Sequence, residues 1–396
     1  MDKMPATTGE LQADVCVVGA GIVGLAHALE ARRRGMSVVL LERDSHAVGA
    51  SVRNFGHLFV GSQPDGPSFE LALRSRRRWL ELGAEADLAL VQTGTLLVAR
   101  AEDELAVLET ATANPARQSR LLTAQQALAL APLPGEQIIG ALHSQLDLRV
   151  NPRVAVARLA ARLESDPGAT LRWGSRVHAV APGVVNARSA EELTVRAPAI
   201  VVCPGPDYAD LAPELAPGLE RLTRCRLQML RVSAPAGRRY EPALATGLSL
   251  IRYPAFADSA PALALRARLL RERPELLEAG IHLLITQLPD GDLIIGDSHT
   301  YGDTLDPFAA ERVDQLLLTE AARLLGADRL AVRERWQGIY ATRRPTAVAQ
   351  EYAPFHVSAP MPGVRVVENV TGIGMTLSLG FAPTVLDELC GGMLAD

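Results

Sequence analysis

Three glycines and a carboxylate near the start of the chain have the types and spacing to do chemistry. Gly19, Gly21 and Gly24 stand as G-x-G-x-x-G, and Glu42 follows at the end of the next apolar run. Glycines so spaced allow a tight turn, let backbone approach a pyrophosphate, and let a helix pack close on a strand. The first helical N–H groups, at Ile22 and Val23, would face the phosphates, where the helix dipole favours negative charge. Glu42 is placed to accept hydrogen bonds from ribose hydroxyls. By itself this pattern fits NAD as well as FAD. No Ser-His-Asp or Cys-His signature proposes a side-chain nucleophile.

The elements that must position these residues read as a βαβ unit. The pattern predicts a buried strand over 14–18, a helix over 22–34 stopped by Gly35, and a second strand over 37–41. Small residues at 49–51 then precede Arg53, Asn54 and His57, a composition suited to a loop running along a cofactor. The apolar run 200–203, followed by Pro204-Gly205-Pro206, reads as another parallel strand of the first sheet. Beyond Arg224, strands are expected over 226–232, 248–253, 281–287 and 292–296. The last two form a hairpin through Pro289-Asp290-Gly291-Asp292, in a mainly antiparallel sheet backed by a helix over 307–325. Strands over 332–340 and 364–369 lead to Gly372 and Gly374, which feed a helix over 377–390. The expected fold is α/β, a Rossmann-like nucleotide-binding domain with an inserted, mainly antiparallel sheet. Segments 12–90, 146–222 and 332–396 are assigned to the first domain, and 91–145 and 223–331 to the second.

Bulk properties exclude other classes. A chain of 396 residues, 48% hydrophobic and 21% charged, can bury two cores and is not disordered. The net charge of -5 gives no reason to expect nucleic acid as a partner. Cys16, Cys203, Cys225 and Cys390 are scattered, so neither a metal site nor a disulfide framework is expected. No uninterrupted apolar run approaches the roughly 18 residues of a membrane span. The N-terminal residues lack the pattern of a signal peptide, and a cytoplasmic location is the expectation. Lys3 is the only lysine, which removes lysine chemistry from the body of the chain.

GAGIVG with Glu42, GASVRN, VVCPG, WQGIY and TGIGMTLSLGFAP stand in the order found in FAD-dependent oxidoreductases of the D-amino-acid oxidase, glycine oxidase and sarcosine oxidase superfamily, which this chain resembles throughout. SVRNFGH, RCRLQMLR, GLSLIRY, GIHLLITQ, IIGDSHTYGDTLDPF and RWQGIY resemble a subfamily associated with phosphonate catabolism, proposed to oxidise 2-aminoethylphosphonate and its N-alkylated forms. The resemblance implies that Gly19, Gly21 and Gly24 carry the FAD pyrophosphate, with Glu42 at the ribose and Arg43 near the adenine. It implies that Ser51, Arg53 and Asn54 run along the pyrophosphate, ribityl chain and flavin edge. Val177 would meet the adenine, and Pro204, Gly205 and Gly338 would lie against the cofactor. Gly372, Ile373, Gly374, Met375 and Thr376 would cover the pyrimidine end of the isoalloxazine. Sarcosine oxidases attach flavin through a late cysteine and activate oxygen with a lysine; residues 332–342 hold no cysteine, so non-covalent FAD is expected.

An amine is oxidised when hydride leaves the carbon beside nitrogen for flavin N5. The protein must then orient that C–H, keep the amine neutral and exclude water. The expected substrate is a small anionic amine, an aminophosphonate, with oxygen as electron acceptor. Candidate catalytic groups are His57, Arg53, Tyr253 and His299. Candidate substrate contacts are Gln228, Arg252, Ser298, Arg343 and Met375. Strand alternation puts Gln228 and Arg231 on opposite faces, so both cannot reach the substrate. A carboxylate substrate, as in glycine or D-amino-acid oxidases, a dehydrogenase using another acceptor, and a non-catalytic flavin protein are the alternatives.

Overall fold

The structure, a computed structural model, describes residues 9–211, 213–215, 217–344 and 352–391; Lys3 lies outside them. The first predicted unit is present. Strand Val15–Val18, helix Ile22–Arg33 and strand Val38–Leu41 follow one another, and Gly35 takes a positive φ of 81° at the helix stop. These strands lie inside a six-stranded sheet in the order Phe355–Ser358, Val364–Asn369, Ala199–Val202, Val15–Val18, Val38–Leu41, Ala169–Arg172. All neighbours are parallel except the first pair. Both faces of the central strands are covered, which is why they read as unbroken valine, isoleucine and leucine runs. Helices Ile22–Arg33 and Gly374–Cys390 pack side by side on one face, and helix Pro67–Glu85 packs on the second of them. A small sheet of Gly9–Gln12, Glu192–Arg196, Val184–Arg188 and Arg176–Ala181 covers the other face through Val180, Val185 and Val195.

A larger mixed sheet forms the second core. Its path runs from Leu222–Val232 through Leu293–Gly296, Leu284–Gln287, Ala243–Ala245, Thr95–Ala99 and Gly140–Ser144 to Ser119–Thr123. Only the Ala243–Ala245 and Thr95–Ala99 pair is parallel. Strand Val332–Arg343, expected in the last nucleotide-binding segment, instead pairs antiparallel along all of Leu222–Val232, so this sheet extends beyond residue 331. The strand expected over 248–253 is helix Gly247–Leu250 followed by a turn. Its residues are a short, fully buried apolar run, which has no period to separate strand from helix.

Two features lock the nucleotide half. Trp79 is fully buried, and its indole N–H donates to the Met375 carbonyl at 2.8 Å, fixing the start of the last helix. Gly380, in the middle of that helix, lets it approach helix Pro67–Glu85. A Cβ there would come within 2.6 Å of the Leu71 carbonyl oxygen and 2.7 Å of the Ser75 nitrogen. Both contacts are backbone, so neither can move without shifting a helix. Gly380→Val is expected to cost about 3 kcal/mol by overpacking, read as a lowered midpoint in urea unfolding. An unchanged midpoint would show that the interface is plastic.

Candidate cofactor and substrate site

A cavity of about 850 Å³ lies at the C-terminal ends of the parallel strands. Gly19, Gly21, Gly24, Glu42, Arg43, Val177, Gly338, Gly372, Gly374 and Met375 all line it. Gly19 has a φ of 100°, and a Cβ there would come within 2.5 Å of the Cys203 carbonyl oxygen. A Cβ at Gly24 would meet the Gly19 carbonyl oxygen at 1.8 Å. Only glycine fits at either position, and the turn brings the helix start to the cavity wall. The N-cap of helix Ile22–Arg33 is Gly21, which has no side chain to cap it, and the first turn holds no acid, so the remaining N–H groups there suit an anion. Ser51 Oγ accepts the Ile22 N–H at 2.8 Å. Glu42 accepts from the Ala20 N–H at 2.8 Å and from the Asp44 N–H at 3.0 Å, which pins its carboxylate at the rim. Arg43 pairs with Asp207, and Pro204 and Gly205 form part of the lining.

The remaining predicted cofactor residues divide into lining and support. Arg53 lines the cavity, and its carbonyl accepts from the Trp336 indole at 3.1 Å. Asn54 also lines it, yet its amide donates to the Ala50 and Ser51 carbonyls and its Oδ1 accepts the Gly56 N–H, so it shapes its own loop. Thr376 Oγ1 accepts the Phe59 N–H at 3.1 Å, and Ile373 precedes the last helix as its cap; neither is among the lining residues. Sequence reading missed Glu368, a buried carboxylate in the cavity wall. Burial pushes its pKa up to about 8, with the Gly205 N–H opposing the shift. Nothing in the strand pattern over 364–369 marked it, because one acid in an apolar run ordinarily reads as a strand end.

The predicted substrate contacts separate more sharply. Gln228 donates to Asp314 Oδ1 at 2.7 Å and faces helix Glu311–Leu325, on the side of the sheet away from the cavity. Arg231 is on the other face, as alternation requires, but is tied to Asp290, Asp292 and Glu334. Ser298 Oγ accepts the Gln228 N–H at 3.1 Å and serves the sheet. Arg343 donates to the Phe355 carbonyl at 3.3 Å and lies on the face of its strand opposite Tyr340. These four side chains are therefore directed elsewhere than an anion above the cofactor.

Arg252, Tyr253 and His299 do converge. Arg252 donates to the phenol oxygens of Tyr301 and Tyr340, each at 3.3 Å. Tyr340 lines the cavity and lies under Gly372, where a Cβ would meet its ring at 2.9 Å. Burial disfavours the charge on Arg252, but Tyr340, Tyr301, Asp297 and Tyr253 outweigh it and hold its pKa above the ordinary value. A file of rings crosses the same region. His57 stacks on Phe59 at 4.5 Å, Phe59 meets Tyr253 at 5.0 Å, Tyr253 meets His282 at 5.4 Å, and His282 meets His299 at 4.7 Å. Burial, reinforced by Arg149, lowers the His57 pKa to about 3, so its imidazole is neutral, with Nε2 2.6 Å from Thr95 Oγ1. His282 and Tyr340 lie in the segments GIHLLITQ and RWQGIY, but nothing local singles them out, and only the tertiary arrangement brings them to this place.

A family model described as FAD dependent oxidoreductase matches residues 14–387. Glycine oxidase from Geobacillus kaustophilus is similar in fold, with a TM-score of 0.74 and 22% identity over 96% of this chain and 95% of that one. L-proline dehydrogenase from P. horikoshii gives 0.76 at 17% identity over 97% and 94%. Iminodiacetate oxidase from Chelativorans sp. BNC1 gives 0.69 at 18% over 96% and 95%. Among curated proteins, the bifunctional tRNA 5-methylaminomethyl-2-thiouridine biosynthesis protein MnmC of Chromohalobacter salexigens is 29% identical over 164 residues, 40% of this chain. The probable oxidoreductase OrdL of Haemophilus influenzae is 42% identical over 59 residues, 15% of this chain. The chain spans 23% and 14% of the lengths of these two relatives. The chain belongs to the FAD-dependent oxidoreductase family, and FAD is its cofactor. The glycine-walled cavity and the two helix starts beside it fit that group.

Glu368 makes a prediction about pH. Its folded pKa is raised from 4.5 to about 8. Between those values the unfolded chain has released the proton while the folded chain keeps it, so stability falls as pH rises across the interval. Glu368→Gln removes this fall, a difference of a few kcal/mol at about pH 8.5. Urea midpoints of both proteins at about pH 5.5 and about pH 8.5 check it; parallel pH dependences would contradict it.

Proposed function

We propose that this FAD-dependent oxidoreductase oxidises the C–N bond of a small anionic amine, an N-methylated or otherwise N-alkylated 2-aminoethylphosphonate. The products are phosphonoacetaldehyde and the free amine, with oxygen as electron acceptor and hydrogen peroxide as co-product. The observation that carries this reading is Arg252 with its two phenols, of which Tyr340 lines the cavity and Arg252 lies directly behind it. The guanidinium donates to both phenol oxygens, and Cys225 lies within hydrogen-bond reach of both phenols, so the three polar groups are held together. One fixed positive charge and two polarised hydroxyls suit an oxyanion, and a phosphonate offers more acceptor oxygens than a carboxylate.

Bound flavin supplies the acceptor for hydride. The chain supplies position and surroundings. In this reading Arg252, Tyr301 and Tyr340 anchor the anionic end, so that the carbon beside nitrogen lies over the cofactor near Gly338 and Met375. Phe59, Tyr253 and Met375 exclude water. His57, held neutral by burial, keeps one edge of the site uncharged. Arg53, at the rim, is the candidate cation for oxygen activation. The similarity to glycine oxidase and iminodiacetate oxidase supports an amine substrate and keeps carboxylates as the comparison.

Anaerobic bleaching of the flavin tests the assignment, with N-methyl-2-aminoethylphosphonate set against sarcosine, glycine and D-alanine. The phosphonate is expected to reduce the flavin fastest. Arg252→Met is expected to weaken its binding about 100-fold, the loss of a charge-assisted contact. Turnover of the carboxylates alone would rule out the phosphonate reading.

A further inference from the structure

His282, Asp297 and His299 form a buried cluster to which the reading above gives no role. His282 and Asp297 face each other across two chain segments, exchanging backbone N–H···O bonds of 3.2 and 3.1 Å. His282 Nδ1 lies 3.2 Å from Asp297 Oδ1, and His299 Nε2 lies 4.0 Å from Asp297 Oδ2. Among the described residues, neither His282 Nδ1 nor Asp297 Oδ1 has an aligned hydrogen bond. His299 Nδ1 donates to the Gly280 carbonyl at 2.8 Å, which assigns its proton to Nδ1 and leaves Nε2 as a bare acceptor.

A buried carboxylate with an unpartnered oxygen is costly unless a proton or a cation reaches it. The titratable and charged groups facing Asp297 are Arg252, Tyr253, Cys225, His282 and His299. Arg252 is the one permanent charge among them, and it is engaged by Tyr301 and Tyr340 rather than by Asp297. An anion held by Arg252 would therefore bring its other end near a buried carboxylate that Arg252 influences through space but does not hydrogen-bond. We propose that Asp297 accepts the ammonium proton of the substrate, so that the enzyme binds an ammonium–oxyanion zwitterion and oxidises it as the free amine. This rests on the reading of Arg252 as the anion anchor.

An N–H bond of the ammonium breaks and an O–H bond forms on Asp297. Bound flavin would supply the two-electron acceptor for the hydride on the carbon beside nitrogen, and the free amine would become an iminium. The proton stays on Asp297 while the hydride leaves and is released to solvent once the product departs. Burial raises Asp297 to about 7, with Arg252 opposing, and burial holds both histidines well below their ordinary value, so they stay neutral beside it.

The test uses the holoenzyme. Anaerobic flavin reduction by N-methyl-2-aminoethylphosphonate is followed from about pH 6 to about pH 9.5 in wild type, Asp297→Asn and Asp297→Glu. Equilibrium binding of ethylphosphonate, which has no amine, is measured beside it. Wild type is expected to gain rate with a midpoint near 7, and Asp297→Glu to keep a low midpoint at reduced rate. In Asp297→Asn the midpoint moves towards that of a free alkylammonium, and the rate near pH 7 falls about 100-fold, while ethylphosphonate still binds within about twofold. An unshifted midpoint in Asp297→Asn, or a shifted one in Asp297→Glu, with ethylphosphonate binding intact, overturns the assignment of Asp297. Failure of wild type to bind ethylphosphonate overturns the anion reading instead. One equivalent of a transition metal retained by wild type and lost from Asp297→Asn would also overturn the assignment, because a cation on these ligands excludes the proton.

Discussion

The antiparallel ladder between Leu222–Val232 and Val332–Arg343 sets most of what surrounds the site. Leu227 is opposite Gly338, Cys225 opposite Tyr340, and the pairing runs unbroken from Leu222–Arg343 to Arg231–Glu334. A slip of one residue would exchange the two faces of a strand. In the observed register Leu227 and Gly338 face the cofactor cavity, whereas Gln228 meets helix Glu311–Leu325. Gly338 is close enough to the 51–54 loop that a Cβ would stand 3.2 Å from the Arg53 carbonyl oxygen, the same oxygen that accepts from Trp336. One ladder thus aligns the substrate sheet, the cofactor loop and Tyr340 together.

Two helix starts supply the complementary constraint. Ile22–Arg33 and Gly374–Cys390 lie side by side, neither is capped by the side chain of its own N-cap residue or holds an acid in its first turn, and Ser51 takes only the Ile22 N–H. Their exposed N–H groups make that edge of the cavity electropositive without a mobile charge. Four buried side chains of this region, His57, Glu368, His282 and His299, each shift in the direction that removes charge. Arg252 is the exception, and its phenol partners are what allow a charge to persist there.

How much could be read in advance follows from the range of the interactions. The first βαβ unit, the glycines and the late glycine turn depend on neighbours close in sequence, and the structure has them where the spacing implied. The 248–253 segment did not follow its apolar pattern, because burial on all sides erases the period that distinguishes strand from helix. Strand Val332–Arg343 went to the larger sheet because sheet membership is decided by a partner a hundred residues away. Gln228, Ser298 and Arg343 are polar residues in strands, and alternation fixes only their relative parity, not which face a helix will cover.

By itself, the sequence determined a nucleotide-binding unit, its glycine turns and a second sheet of mostly antiparallel strands, since each is encoded in local spacing. The tertiary structure decided which polar residues meet. Arg252 follows a buried helical turn, Tyr340 lies in the last long strand and Asp297 follows a hairpin; strand register and sheet order bring them together. That convergence is a property of cross-strand geometry, and no local pattern in the chain records it.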